Sequence, residues 1–148
     1  MSDIRVTKLH IPPVTIIHVI GNAVIEDVLD TIDTHIGGDL PSNVLWDLRD
    51  AGFSALNSVA ITQITARTSS YSGRRSNPRS VAVTPDSMNR RMTALIREYG
   101  LKSGSLVDFR IAATMETAVA WFRGDPEIVD DGTTVRSASD PSITDYSD

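Results

Sequence analysis

The segment Asn43-Val44-Leu45-Trp46-Asp47-Leu48-Arg49-Asp50 indicates the fold. In it, a short apolar run is followed by a charged segment. A continuous apolar run of this length is typical of a strand that is covered on both faces of a sheet. We therefore predict that Val44–Trp46 is a buried strand near the middle of a sheet. The charged residues of 47–50 are expected to lead the chain out of that strand.

The chain before this strand predicts two strands and one helix. Residues 4–20 are rich in β-branched side chains and are interrupted by Pro12-Pro13, which predicts two strands joined by a turn. A helix follows, because five apolar residues recur at helical spacing and Gly37-Gly38 can end it. These five residues are Ile25, Val28, Leu29, Ile32 and Ile36.

The chain after this strand alternates helices with strands. Ser54 is predicted to cap a second helix, with a loop over 68–73. The inner face of that helix is predicted to be Leu56, Val59, Ala60 and Ile64. Strands are expected over 80–84 and 107–113, and Asp86 or Ser87 is expected to cap a third helix that Gly100 ends. Thr114 is expected to cap a fourth helix over 115–122.

The element order β-β-α-β-α-β-α-β-α predicts an α/β fold. Parallel strands need helix-length connections, so the pattern favours a mixed, largely parallel sheet of four or five strands with about four helices. A composition of 41% hydrophobic and 22% charged residues is typical of a globular protein.

Charge divides the chain into two regions. Residues 125–148 carry seven acidic residues against Arg136, a net charge of −6, and residues 1–124 carry +1. We expect residues 1–124 to form one domain and residues 125–148 to form a disordered acidic tail. No segment resembles a signal peptide or a membrane span, so we expect a cytoplasmic protein.

Three segments together resemble the SpoIIAA-like family, a branch of the STAS (anti-sigma-factor antagonist) superfamily. They are Asn43–Arg49 with Phe53 behind it, Arg79–Val83, and Phe109-Arg110 with the helix Met115–Phe122. The resemblance covers residues 4–124 and implies the mixed sheet predicted above.

The phosphorylated serine of the sporulation antagonists has no counterpart here. Asp47, Leu48 and Phe53 match the antagonist pattern, but its serine aligns with Leu56 and its glycine with Ser58. The phosphorylation switch is therefore not expected in this chain.

Polar residues after the strands predict a binding edge. In open parallel sheets, ligands bind beyond the carboxyl ends of the strands, where helix N-termini offer free N–H groups to anions. The alternative is that several of these residues only cap helices. The predicted binding residues are Asp47, Arg49, Asp50, Ser54, Ser58, Thr84, Asp86 and Ser87.

No catalytic residues, cofactor or metal site are predicted. The chain has no cysteine, nucleophile elbow or glycine-rich phosphate loop. His10 and His18 flank the proline turn, but zinc needs a third ligand and none is evident. We therefore expect a protein that is not an enzyme.

Seven arginines between Arg67 and Arg97 are accompanied by one acidic residue, Asp86. Such a segment either binds phosphate groups or an acidic partner, forms a solvated surface, or pairs with the acidic tail. Few aromatic residues and the absence of a binding motif argue against nucleic acid.

Two hypotheses follow. The first is a regulatory protein-interaction module, acting through the face around Asp47, Ser54 and Ser58 on an unknown protein partner or as a homodimer. The second is a binding protein for a small anionic or apolar, lipid-like ligand, suggested by the Met and Ile content of the first and third helices.

Overall fold

A computed structural model describes residues 3–124, apart from the side chain of Met88. The tail predicted over 125–148 lies outside the described residues. Five strands form one sheet, in which chain order is also spatial order. They are β1 (Asp3–His10), β2 (Pro13–Asn22), β3 (Asn43–Gly52), β4 (Arg79–Val83) and β5 (Asp108–Ala112).

The first two strands pair antiparallel, and every other pair of neighbours is parallel. The hairpin turns at residues 11–12, where the two prolines predicted a turn. β3 is the third of the five strands, so the prediction that Val44–Trp46 lies near the middle of the sheet is confirmed.

Four helices connect the parallel strands or follow them in the described residues. They are α1 (Ile25–Thr31), which continues as a π-helical segment over Ile32–Gly37, α2 (Ser58–Ser72), α3 (Ser87–Lys102) and α4 (Met115–Arg123). The predicted element order is confirmed. No helix within residues 3–124 has the length and apolar character that crossing a bilayer would require.

The sheet has a separate hydrophobic core on each face. On one face, α1 and α2 pack against β2, β3 and β4, with Ile17, Val28, Ile32 and Ile36 buried. On the other face, α4 packs Ala118, Trp121 and Phe122 against apolar residues of all four parallel strands. The predicted stripe of α1 is confirmed, because Val28, Ile32 and Ile36 are buried while Ile25 and Leu29 pack at the edge of the core.

The prediction for α2 was wrong at its start. Asn57, not Ser54, caps the helix, since its Oδ1 accepts the Ala60 N–H at 2.8 Å. Leu56 is buried, but it precedes the helix, and the inner face then includes Ile61 while Val59 is 63% exposed.

The ends of α2 and α3 also differ from the prediction. The segment 68–73 is not a loop, because α2 continues to Ser72 and hydroxyls of Thr68, Ser70 and Ser72 donate to carbonyls three or four residues earlier. Serine and threonine fit a helix when their hydroxyls bond in this way. Gly100 does not end α3, which continues to Lys102.

Candidate functional site

Three residues of the predicted binding edge, Asp47, Arg49 and Asp50, lie close together. They are on the face of the sheet that α4 partly covers. Asp47 is buried within β3 and accepts two hydrogen bonds of 2.8 Å from the Arg49 guanidinium. The Asp50 Oδ2 atom lies 2.8 Å from Nε2 of His18 on β2. The sequence alone did not mark His18 as a member of this edge.

A β-bulge explains why both carboxylates approach His18. His18 pairs with Asp47 and Ile20 pairs with Asp50, so β3 has one extra residue in this interval. A bulge turns the side chain that follows it toward a different face of the sheet. Asp50 therefore reaches His18, and Asp47 Oδ2 also lies 3.7 Å from its Nε2.

Asp47 keeps its charge despite burial. Burial raises the pKa of its carboxyl, but the side-chain and backbone hydrogen bonds and the charge of Arg49, with His18 nearby, lower it by more, so the pKa of Asp47 lies below its ordinary value. The Arg49 pKa is raised in turn by its hydrogen bond to Asp47. The cluster places two carboxylates beside one guanidinium and the His18 ring, so it does not form an open site for an anion.

The remaining predicted residues are spread over separate positions. Ser54 is exposed and donates to Asn22 Oδ1 at 3.3 Å, and Ser58 and Ser87 are exposed first residues of their helices. Asp86 caps α3 by accepting the Asn89 N–H at 3.0 Å, as predicted. The eighth predicted residue, Thr84, is fully buried, and its hydroxyl has no hydrogen-bond partner among the described residues.

The two histidines considered as metal ligands are separated. His10 pairs with Pro13 beside the turn, whereas His18 pairs with Arg5 far along the hairpin. Within residues 3–124, no three His, Asp or Glu side chains are grouped so that they could hold a metal ion.

A cavity of about 530 Å³ lies on the opposite face, between the sheet and helices α2 and α3. This volume is within the usual range of small-molecule pockets, ~300–1,000 Å³. Its apolar lining includes Val19, Val28, Trp46, Leu56, Ile64 and Phe109.

The cavity exists because α3 does not pack closely on the sheet. α3 packs against α2 and meets the sheet at β5. Among the described residues of α3, only Thr93 and Gly100 are buried. Ala82 in the middle of β4 and Gly100 on α3 both line the cavity, and their small size leaves it unfilled. Trp46 is only half-buried because its side chain borders this space.

The lining reaches solvent at the connection between α3 and β5. Leu101, at the end of α3, is 61% exposed, and Asp108, at the start of β5, is exposed as well. Leu101 lines the cavity together with Ser105 and Val107 of this connection, so its entrance lies near the amino end of β5.

Arg75 is the charged residue buried in the cavity wall. It follows α2, is 5% exposed, and donates from Nε to the Pro41 carbonyl at 2.7 Å. Its Nη2 donates to the Ser42 carbonyl at 3.3 Å and more weakly to Ser80 Oγ at 3.5 Å. These acceptors lie at the amino ends of β3 and β4, so Arg75 lies at the same end of the cavity as the entrance.

The charge of Arg75 has no carboxylate partner within ion-pair distance in the described part of the chain. Burial lowers the pKa of its guanidinium to about 10, which leaves the group protonated at neutral pH. A buried charge without a counterion is costly, and proteins ordinarily pair it or bind an ion to it.

Two further arginines line the cavity. Arg110 lies on β5 at the cavity wall, but its side chain lies over the Trp121 ring on the other face of the sheet and donates to Asp108 at 2.9 Å, so neither charge faces the cavity. Arg97, on α3, also borders the space.

The arginine-rich segment does not form one basic surface. Arg67 pairs with Asp33, and Arg74 stacks on Tyr71. Arg79 lies over the rings of Trp121 and Phe122 on the other face of the sheet. The sequence placed Arg75 in this group, but no spacing rule could distinguish the one arginine that folds inward.

Among solved structures, the chain is similar to an uncharacterized protein of the DUF3478 family with a SpoIIAA-like fold, from Shewanella loihica PV-4. The two share 11% sequence identity with a TM-score of 0.54, over 82% of this chain and 93% of that chain. The chain therefore has a SpoIIAA-like fold, as its sequence segments predicted, and at this identity the similarity shows the fold alone. No protein-family model and no curated protein matches the chain.

Proposed function

We propose that this chain is a SpoIIAA-like small-molecule binding module that holds a largely apolar ligand between its sheet and helices α2 and α3. The observation that carries the proposal is the cavity of about 530 Å³. An open, largely apolar cavity of this size is typical of sites that bind small molecules. Of the two hypotheses from the sequence, a deep cavity supports the ligand-binding one.

The lining matches an apolar ligand. Aromatic and aliphatic side chains from the sheet and the helices form most of the lining, with hydroxyl groups and arginines among them. Binding sites of this kind obtain their affinity from buried apolar surface, while a few polar groups set orientation.

A titration with Nile red, a neutral apolar dye, tests the proposal. We expect saturable binding to the wild-type chain and binding weakened by about tenfold or more in Ala82→Leu, because the added carbons occupy the cavity. Ala66→Leu, which adds the same atoms on the exposed side of α2, serves as the matched control and should bind like the wild type. Failure of the wild type to bind, or equal binding by all three proteins, would contradict the proposal.

A protein-interaction module remains the second candidate, favoured by the charged surface at the carboxyl ends of β2 and β3. The Arg49 and Asp50 side chains are 47% and 58% exposed there, and Ser54 and Ser58 are exposed nearby. The occupant of that surface would be another protein or a second copy of the chain. A pull-down comparing the wild type with the Ser54→Asp/Ser58→Asp double variant tests this candidate, and unchanged recovery of the same proteins would argue against it.

A further inference from the structure

We propose that the cavity selects ligands with a single carboxylate at one end of an apolar chain, and that the Arg75 guanidinium binds this carboxylate. The inference rests on the proposed function, because it assigns the chemical class of the molecule that occupies the cavity.

The unused hydrogen-bonding capacity of Arg75 is the first support. A guanidinium has five N–H donors in a planar fork. Nε and Nη2 donate to the Pro41 and Ser42 carbonyls and to Ser80 Oγ, while the two N–H groups of Nη1 have no acceptor among the described residues. The side chain is thus held rigidly by its neighbours, with donors left for one small acceptor group.

The position of Arg75 is the second support. It lies at the amino ends of β3 and β4, on the side of the cavity that reaches solvent near Leu101. Apolar lining residues such as Val28 and Leu56 lie toward the carboxyl ends of the strands. A molecule with a charged head at the entrance side and an apolar chain directed inward matches both ends of the space.

The charge balance of the lining favours a monoanion. Arg75 has no acidic partner within residues 3–124, whereas Arg110 is paired with Asp108 on the other face of the sheet. One negative charge neutralises one guanidinium, so a monoanion leaves no excess charge buried in the cavity, whereas a dianionic phosphate would. A carboxylate also fits the guanidinium fork with charge-assisted hydrogen bonds.

The test compares ligands of equal chain length by displacement of Nile red at neutral pH. We expect dodecanoate to bind the wild-type chain about tenfold or more tightly than dodecanol, since hydrogen bonds to charged groups contribute on that scale. Dodecyl phosphate is expected to bind no better than dodecanoate. Each ligand is used below its micelle concentration.

Two variants assign the preference to Arg75. In Arg75→Met the preference for dodecanoate over dodecanol should disappear while Nile red still binds, and in Arg75→Lys it should be partly kept. Arg74→Met is the matched control, because Arg74 is the adjacent residue but is exposed and stacks on Tyr71 outside the cavity. It should retain the wild-type preference.

The outcomes separate the inference from the proposed function. If the wild type binds Nile red and dodecanol but shows no preference for dodecanoate, the inference is wrong and the proposed function stands. If it binds none of the probes, both are wrong. A clear preference for dodecyl phosphate over dodecanoate would also overturn the choice of a carboxylate. The comparison of the three ligands on the wild-type chain tests the inference even if Arg75→Met does not fold.

Discussion

Asp47 illustrates what the sequence could and could not indicate at the scale of a residue. Its place after an apolar strand predicted a binding position beyond the end of that strand, yet β3 continues past it and the side chain is buried. The strand could extend because Arg49 neutralises the carboxylate and the bulge turns Asp50 toward His18. Ion pairs two residues apart and bulges leave no periodic signal, so neither could be predicted.

The ion pair of Asp47 predicts a pH-dependent stability. Because its pKa in the folded chain lies below the ordinary value of 3.8, the unfolded chain binds the proton more tightly. The stabilisation is therefore fully present above that value and is lost as the pH falls below it. Urea unfolding at about pH 7 should show Asp47→Asn less stable by roughly 1–3 kcal/mol, with the difference shrinking near pH 3.

The control for this prediction is Asp39→Asn. Asp39 pairs with Lys8 at 3.2 Å in an exposed ion pair, which should contribute little. A difference between wild type and Asp47→Asn that is the same at both pH values would contradict the assignment.

Gly37 allows the close contact between α1 and α2. A Cβ atom at this position would lie 2.4 Å from Cζ of Tyr71, whose hydroxyl donates to Asp33 at 2.7 Å. We expect Gly37→Ala to lower the free energy of unfolding by about 1–3 kcal/mol, because the ring must move and give up that hydrogen bond. Gly73→Ala, where an added Cβ meets nothing within 4 Å, should be nearly neutral, and chemical denaturation of both variants checks this. Equal stability of the two variants would count against the contact.

At the scale of elements, a helix was predicted correctly where its apolar residues recur regularly at helical spacing. α1 has an uninterrupted stripe and was predicted correctly. α2 is rich in serine and threonine, and its cap, its last turn and the place of Val59 were assigned wrongly, although Ala60 and Ile64 are buried as predicted. Its hydroxyls bond within the helix, which a propensity argument does not anticipate.

The corrected face of α2 predicts opposite outcomes for two aliphatic residues. Ile61 is 5% exposed and Val59 is 63% exposed. Ile61→Ala should therefore cost about 2–4 kcal/mol, while Val59→Ala should change stability by less than about 0.5 kcal/mol. Thermal or urea unfolding of the pair measures this, and the reverse order would restore the face predicted from the sequence.

For the whole molecule, the alternation of strands and helices was sufficient to predict the class of fold and the central place of β3. It did not predict the cavity, because that depends on how far α3 lies from the sheet. This distance is set by small side chains such as Ala82 and Gly100, which do not interrupt any apolar period. The charged end of the cavity also lies at the amino ends of the strands, opposite to the edge that the sequence favoured.

The two tryptophans allow the most direct test of the cavity. Trp46 lines the cavity, whereas Trp121 is buried in the core on the other face of the sheet. A bromine atom quenches tryptophan fluorescence only at short range, so a neutral brominated alkyl alcohol such as bromododecanol reports which tryptophan it contacts. We expect saturable quenching in Trp121→Phe, where Trp46 alone emits, and none in Trp46→Phe. Quenching of Trp121 alone, or of neither, would contradict a binding site between the sheet and helices α2 and α3.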